Sequence, residues 1–187
     1  MSLPQELQTD RLRLRRWRPA DRAPFAAMNA DPRVMEFFPA RLDQAASDAL
    51  AGRIEAKIAE RGWGLWAAEI RVTGDFIGFI GLHPPIAQLP CSPCVEIGWR
   101  LAQPYWGKAF ATEGARAALR FGYEKLGLDE IVSFTVPANR RSRAVMERLG
   151  MLEDKAGAFE HPAIVPGSPL RLHCLYRLSK KRWSELL

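Results

Sequence analysis

The stretch QPYWGKAFATEG, residues 103–114, joins two segments of different period. Upstream, VEIGWRL (95–101) alternates as a strand does, with Val95, Ile97 and Trp99 on one face and Glu96, Gly98 and Arg100 on the other. Downstream, Ala111, Ala115, Ala118, Leu119, Gly122 and Leu126 share one helical stripe, which Gly127 ends. Between the two, Gly107, Ala109 and Ala111 are small and Lys108 adds a charge. The first N–H groups of a helix lack internal partners and sit at the positive end of its dipole. Small residues at that entrance let an anion come close. The stretch therefore reads either as a phosphate cradle or as a helix that merely starts after a glycine. It is not a Walker A loop, because Ala102 and Ala109 stand where that motif needs Gly and Ser or Thr. No G-x-G-x-x-G follows any strand either.

Working outward, TDRLRLRRW (9–17) alternates Leu12 and Leu14 with arginines and reads as a strand whose basic face is solvated. RPADRAPFAAMNAD (18–31) is a helix with Pro19 in its first turn, and RVMEFFPA (33–40) an unusually apolar loop. In LDQAASDALAGRIEAKIAERG (42–62) the residues Leu42, Ala46, Ala49, Leu50, Ile54 and Ile58 form a helical stripe, and Gly62 fits its stop. WGLWAAEIRVTGDFIGFIGLH (63–83) is a hairpin turning at Thr73-Gly74-Asp75, followed by the Pro-rich loop PPIAQLPCSPC (84–94). Beyond the central helix, EIVSFTV (130–136) is a buried strand. PANRRSRAVMERLG (137–150) is a short helix with Asn139 as N-cap, and HCLYRLS (173–179) is a last strand before a short tail. This order predicts an α/β fold. One domain spans residues 1–187, with a mixed central sheet of about six to seven strands flanked by helices and a right-handed β-α-β crossover.

The 187 residues are 48% hydrophobic, enough for one sizeable core. A net charge of +6 favours anionic partners without choosing between nucleic acid and a phosphorylated small molecule. No apolar run reaches the ~20 residues of a membrane helix. Asp10, Arg11 and Arg13 interrupt the N-terminal stretch, unlike a secretory leader. The three cysteines are odd in number and give no disulfide framework, so a cytoplasmic protein with no membrane partner is expected. Cys91 and Cys94 have zinc-knuckle spacing, yet no second such pair exists, and no metal is expected. Nucleic acid is disfavoured, because the exposed aromatic motifs of the common RNA-binding folds are missing.

VEIGWRLAQPYWGKAFATEGARAAL (95–119) with LDEIVSFTVPANRRSRAVMERLGM (128–151) resembles the GCN5-related N-acetyltransferase (GNAT) superfamily. Within it the chain is most similar to the branch of the ribosomal-protein N-terminal acetyltransferases. The likeness runs from TDRLRLRRW to HCLYRLSKKRW. The superfamily signature, Arg/Gln-x-x-Gly-x-Gly/Ala, falls on Trp106 to Ala111, with Trp106 in place of Arg/Gln and Ala109 in place of the first Gly. The resemblance implies acetyl transfer from acetyl-CoA, as cosubstrate, to a primary amine. The amine belongs to a protein N-terminus or a small molecule, and transfer is direct within a ternary complex.

By the same resemblance, Trp106, Gly107, Lys108, Ala109, Phe110, Ala111 and Thr112 form the pyrophosphate cradle. The backbone from Trp99 to Leu101, near a bulge, serves the oxyanion and the pantetheine arm, which Asn139 also meets. Met146 stands where many relatives have a Tyr, and Ser142 falls one turn earlier, where the ribosomal branch places a Ser against the coenzyme sulfur. A role confined to the first helical turn is the alternative for Ser142. Glu96 is either a base acting through water or half of an ion pair with Arg100 or another arginine. Phe37 and Phe38 either wall the acceptor site or fill core, and His83 is either a second base or a solvent-facing ring. The long connection FEHPAIVPGSPLRLH (159–173) shapes the same pocket. A methyl at residue 109 either crowds the cradle or is tolerated at negative φ. Two other classes compete with the transferase: a non-catalytic acyl-CoA binding or sensing domain, and an RNA- or ribosome-binding module using the basic strand. Monomer and homodimer fit equally.

Overall fold

The computed structural model describes residues 6–186, so the ends of the expected 1–187 domain lie outside the described residues. One sheet runs through the molecule in the order β1–β2–β3–β4–β5–β6–β8–β7. Its strands are β1 (Leu7–Gln8), β2 (Leu12–Arg15), β3 (Leu65–Ile70), β4 (Phe76–His83), β5 (Glu96–Leu101), β6 (Glu130–Thr135), β7 (Leu152–Glu160) and β8 (Leu172–Ser179). The helices are α1 (Arg22–Ala30), α2 (Gln44–Arg61), α3 (Phe110–Glu124), α4 (Arg140–Arg148) and α5 (Lys180–Glu185). Neighbouring strands are antiparallel except β5 and β6, which run parallel and are joined through α3. The mixed α/β architecture matches the expectation. The strand count is eight rather than six to seven, because β1 and β7 are edge strands without an apolar period.

Each face of the sheet has its own core. On one face Ala115, Ala118 and Leu119 of α3 pack against Leu12, Leu14, Trp66, Ile80 and Ile97. On the other, Phe25 and Met28 of α1 and Ile54 and Ile58 of α2 cover Trp17, Ala67 and Phe79. α2 starts at Asp43, whose carboxylate accepts from Ala46 N at 2.8 Å, and stops at Gly62 in the left-handed region (φ 79°). Its buried face is Ser47, Ala51, Ile54 and Ile58, so Ala46 and Ala49 are exposed rather than on the core stripe. The tail is helical. Ser179 Oγ accepts from Arg182 N at 3.2 Å, and Trp183 stacks on Tyr123 at 5.7 Å.

The basic strand is not a solvated face. With Leu12 and Leu14 turned to α3, Arg13 and Arg15 point to the side that α1 covers, and Arg15 is 4% exposed. Its guanidinium takes Asp21 in two bonds of 2.7 and 2.8 Å and Glu69 in a third of 2.6 Å. Arg18 and Arg13 also reach Glu69, while Arg11 pairs with Glu113. Among the described residues Arg16 alone of this run lacks an acidic partner, which removes the basis for a nucleic-acid stripe.

β5 and β6 part company almost at once. They share one register pair, Glu96 with Val132, after which β6 stays with β8 and β5 stays with β4 as far as Leu101. The wedge between them opens toward the N-terminus of α3.

Candidate active site

A cleft of about 1090 Å³ fills this wedge and extends beneath the α1–α2 loop. Its floor is the start of α3. Among the described residues the backbone N–H groups from Gly107 to Thr112 find no protein acceptor, and the first turn closes with Glu113 N on Ala109 O at 3.0 Å. Six consecutive free donors at a dipole's positive end fit a pyrophosphate. Gly107, Ala109, Phe110, Ala111 and Thr112 line the cleft. The Lys108 side chain does not: its ammonium lies 5.7 Å from the Tyr105 ring, outside, so Lys108 offers only its N–H. Trp106 ties the loop to β5 through Nε1 on Leu101 O at 2.7 Å, and the Arg141 guanidinium stacks on it at 4.6 Å.

Ala109 caps α3 at φ 63°, ψ 8°, the one non-glycine residue at positive φ among those described. The expected route to tolerance, a negative φ, is therefore not taken. The chain adopts the left-handed turn of the signature glycine and carries a Cβ in it, at a cost of about 1–2 kcal/mol. Such strain persists only where the surrounding structure over-determines it.

Along the wall, the β5 backbone alternates sides. Val95 O accepts from Val132 N at 2.9 Å and Ile97 O from Ser133 Oγ at 3.0 Å, both toward β6. By alternation the backbone groups of Trp99 and the N–H of Leu101 face the same way, where β6 has already left. This is the slot an extended pantetheine arm fits. No bulge makes it, since β5 keeps continuous register with β4 from Glu96 to Leu101. The register shifts in the sheet lie at Ala68/Glu69 and Asp154/Phe159 instead.

Opposite β5 stands the start of α4. Asn139 Oδ1 accepts from Ser142 N at 3.2 Å, which makes it the N-cap, and its Nδ2 donates to Thr135 Oγ1 at 3.0 Å. One amide hydrogen is left for a ligand. The Ser142 hydroxyl takes no part in the cap, has no protein partner among the described residues and lines the cleft, as does the buried Met146. Sequence reasoning gave no role to Arg140 and Arg141, which line the cleft beside it; the run NRRSR was the available signal.

The third wall is built from the other face of β5. Glu96 does not pair with an arginine. Its Oε2 lies 3.1 Å from His83 Nε2, with 13% of the Glu96 side chain exposed. Burial works against a proton on His83, but the Glu96 carboxylate and the Pro84 carbonyl outweigh it and hold the pKa above its usual 6.5. An added Cβ on Gly98, the next residue on that face, would stand 3.9 Å from both Glu96 Oε1 and His83 Nε2, with nothing closer. The space over Gly98 is thus open and bounded by an acid–base pair. Phe37 and Phe38 close it from the α1–α2 loop, and Phe38 is 37% exposed.

His161 and His173 complete the far side, so every histidine of the chain borders one cleft. Their rings lie 5.1 Å apart, and burial lowers the pKa of both. Both belong to the connection 159–173 expected to shape the pocket, although the sequence gave neither ring a role. Cys91 and Cys94 are free thiols 3.0 Å apart, and no group of three or more metal-ligating side chains occurs among the described residues.

Residues 11–152 match the family described as acetyltransferase (GNAT) domain. Among curated proteins the chain is 32% identical to YkkB of Bacillus subtilis, over 81% of this chain and 87% of that one. It is 31% identical to the FsC-acetyl coenzyme A-N(2)-transacetylase of Aspergillus fumigatus, over 67% of this chain and 54% of that one. It is also 32% identical to Bacillus subtilis YdaF, provisionally named a ribosomal N-acetyltransferase, over 59% of this chain and 57% of that one. The chain thus spans about half the length of the last two. A solved acetyltransferase from Agrobacterium tumefaciens superposes with a TM-score of 0.76 at 30% identity, over 96% of both chains. None of the helices among the described residues is long and apolar enough to cross a membrane.

Proposed function

The chain belongs to the GNAT acetyltransferase family and is an acetyl-CoA-dependent acyltransferase, and on that premise we propose that it acetylates a primary amine directly, in a ternary complex. The observation that carries this reading is the open space over Gly98, bounded by the Glu96–His83 pair and continuous with the cradle.

The coenzyme supplies an acetyl thioester; the rest falls to this chain. The free N–H groups of Gly107 to Thr112 hold the pyrophosphate, and the β5 backbone at Trp99 and Leu101 aligns the arm in the wedge. A backbone donor of β5 meets the negative charge that develops on the carbonyl oxygen. The amine reaches the space over Gly98, and only its neutral form attacks. An α-amino group near pKa 8 needs less help there than a lysine near 10.4. Its proton passes, through water, to the His83–Glu96 pair. As the C–N bond forms and the C–S bond breaks, the free Ser142 hydroxyl donates a hydrogen bond to the departing sulfur.

The acceptor is a protein N-terminus or a small-molecule amine. The names of two relatives, one a ribosomal N-acetyltransferase and one an N(2)-transacetylase, agree with that class. The competing reading, a non-catalytic acyl-CoA sensor, draws on Ala109 in the signature and on Met146 where many relatives have a Tyr. The Ser142 hydroxyl, without a protein partner among the described residues and one turn before Met146, supports turnover instead.

The test is calorimetric titration with acetyl-CoA, with release of free thiol followed over a panel of peptides and small amines. Binding with thiol release supports the proposal. Binding without release from any amine overturns it.

A further inference from the structure

Arg100 is an unusual interior cation. It lies on the same face of β5 as Glu96 and Gly98, in the wall of the cleft. Its Nη1 donates to Asn29 Oδ1 at 2.7 Å, and Asn29 is fully buried and fixed by Ser47 Oγ at 2.9 Å. Its guanidinium carbon sits 4.0 Å over the Phe38 ring and 5.4 Å from that of Phe79. The neutral amide and the two rings hold the group in one orientation. Among the described residues no acid neutralises it: its Nε is buried with no partner, Nη2 has none either, and it makes no ion pair. The Glu96 carboxylate, which shares the face, is engaged by His83. Arg15, the other interior arginine, carries two carboxylates. A charge held without a counter-ion in a half-buried cleft wall is unfavourable unless an anion arrives with the ligand. Burial alone pushes the Arg100 pKa down to about 10, which still leaves it charged at neutral pH.

The amine belongs over Gly98, and Arg100 leaves the same face of β5 two residues further along, about 7 Å from Cα to Cα. The cradle that takes the coenzyme phosphates belongs to the start of α3, whereas Arg100 projects under the α1–α2 loop with Phe38.

We propose that Arg100 is the anion subsite of the acceptor pocket, so that the acceptor is an amine that also carries a carboxylate. The aromatic lid formed by Phe38 and the free Nη2 suit a carboxylate bound by one charge-assisted hydrogen bond. A free amino acid and the acidic first residue of a peptide present the same chemistry. The amine half of this inference rests on the transferase reading above; the anion half does not.

The test uses matched acceptors. β-Alanine, γ-aminobutyrate and ε-aminocaproate are compared with their neutral amides, and aspartyl-alanine amide with asparaginyl-alanine amide, by thiol release. Wild type, Arg100→Lys and Arg100→Met are assayed, with melting temperature and acetyl-CoA affinity as folding controls. The acids are also titrated calorimetrically into the CoA-loaded protein. At least one acid is expected to exceed its amide by about tenfold or more in kcat/KM, mainly through KM. In Arg100→Met the ratio falls to about one, and Arg100→Lys keeps part of it. Which series responds separates free amino acids from acidic peptides. Equal use of acids and amides by wild type overturns the proposal, as does a ratio that survives Arg100→Met or a loss of acetyl-CoA binding as that variant's only effect. Acids that bind through Arg100 while no amine releases thiol sustain the subsite and sink the transfer reading. If Arg100→Met does not fold, wild type and Arg100→Lys decide between the same outcomes.

Discussion

His83 Nε2 lies 3.1 Å from Glu96 Oε2, and the two residues are register partners across β4 and β5. The pairing makes a carboxylate in a central strand tenable without an arginine, and it joins the two groups best placed to take a proton from the acceptor.

That pairing sets a pH dependence. The folded pKa of His83 is raised above 6.5, so the charged pair contributes its full stability below the unfolded value and loses it as pH rises through the folded one. Activity runs the other way, since only a deprotonated His83 accepts a proton. The ascending limb of kcat/KM is expected to follow the His83 titration seen by NMR. In Glu96→Gln burial acts without its counterweight, so the limb moves to lower pH and kcat falls. An unmoved limb would remove the pair from the proton path.

Ser142→Ala tests the leaving-group contact. The hydroxyl makes no structural bond, so melting should change little, whereas single-turnover thiol release should slow by about tenfold or more. Release within twofold of wild type would leave Ser142 only its place in the first turn.

Ala109→Gly relieves the left-handed Cβ. The relief of 1–2 kcal/mol is partly offset by the greater freedom of glycine in the unfolded chain, leaving a gain of about 1 kcal/mol in denaturant unfolding. Ala109→Val should lose both stability and acetyl-CoA affinity in calorimetry.

Gly98→Ala places a methyl where the amine is proposed to arrive, 3.9 Å from Glu96 and His83. The acceptor KM should rise by about tenfold or more while acetyl-CoA affinity is kept. An unchanged KM would put the acceptor elsewhere.

Glu69 binds Arg15 in the interior and also reaches Arg18 and Arg13. Its removal in Glu69→Ala leaves the Arg15 Nε buried without an acceptor while Asp21 still holds the guanidinium, and should cost about 1–3 kcal/mol by urea unfolding. Glu160→Ala, which breaks an exposed pair with Arg171, should cost about 0.5 kcal/mol or less.

The central part of the fold was readable from residue order because its signals are local. Period two in VEIGWRL, period three to four after Phe110, and the glycines at 62, 127 and 150 place β5, α3 and the helix stops without any distant contact. An anion cradle at the start of α3 was one of two readings the local sequence allowed; Glu96 was singled out by its place in the strand, and Ser142 only by the family resemblance. β1 and β7 were not, because edge strands exposed on both faces have no apolar alternation, and α5 is too short to show one. What the tertiary structure alone decided is which charge meets which. Arg15 finds Glu69 across 54 residues, Glu96 finds His83 rather than Arg100, and Arg100 finds no acid among the described residues. Sequence fixes the chemistry of each side chain and the local period that aims it. Strand register and helix placement choose its neighbours, and an unpaired charge exists only relative to neighbours.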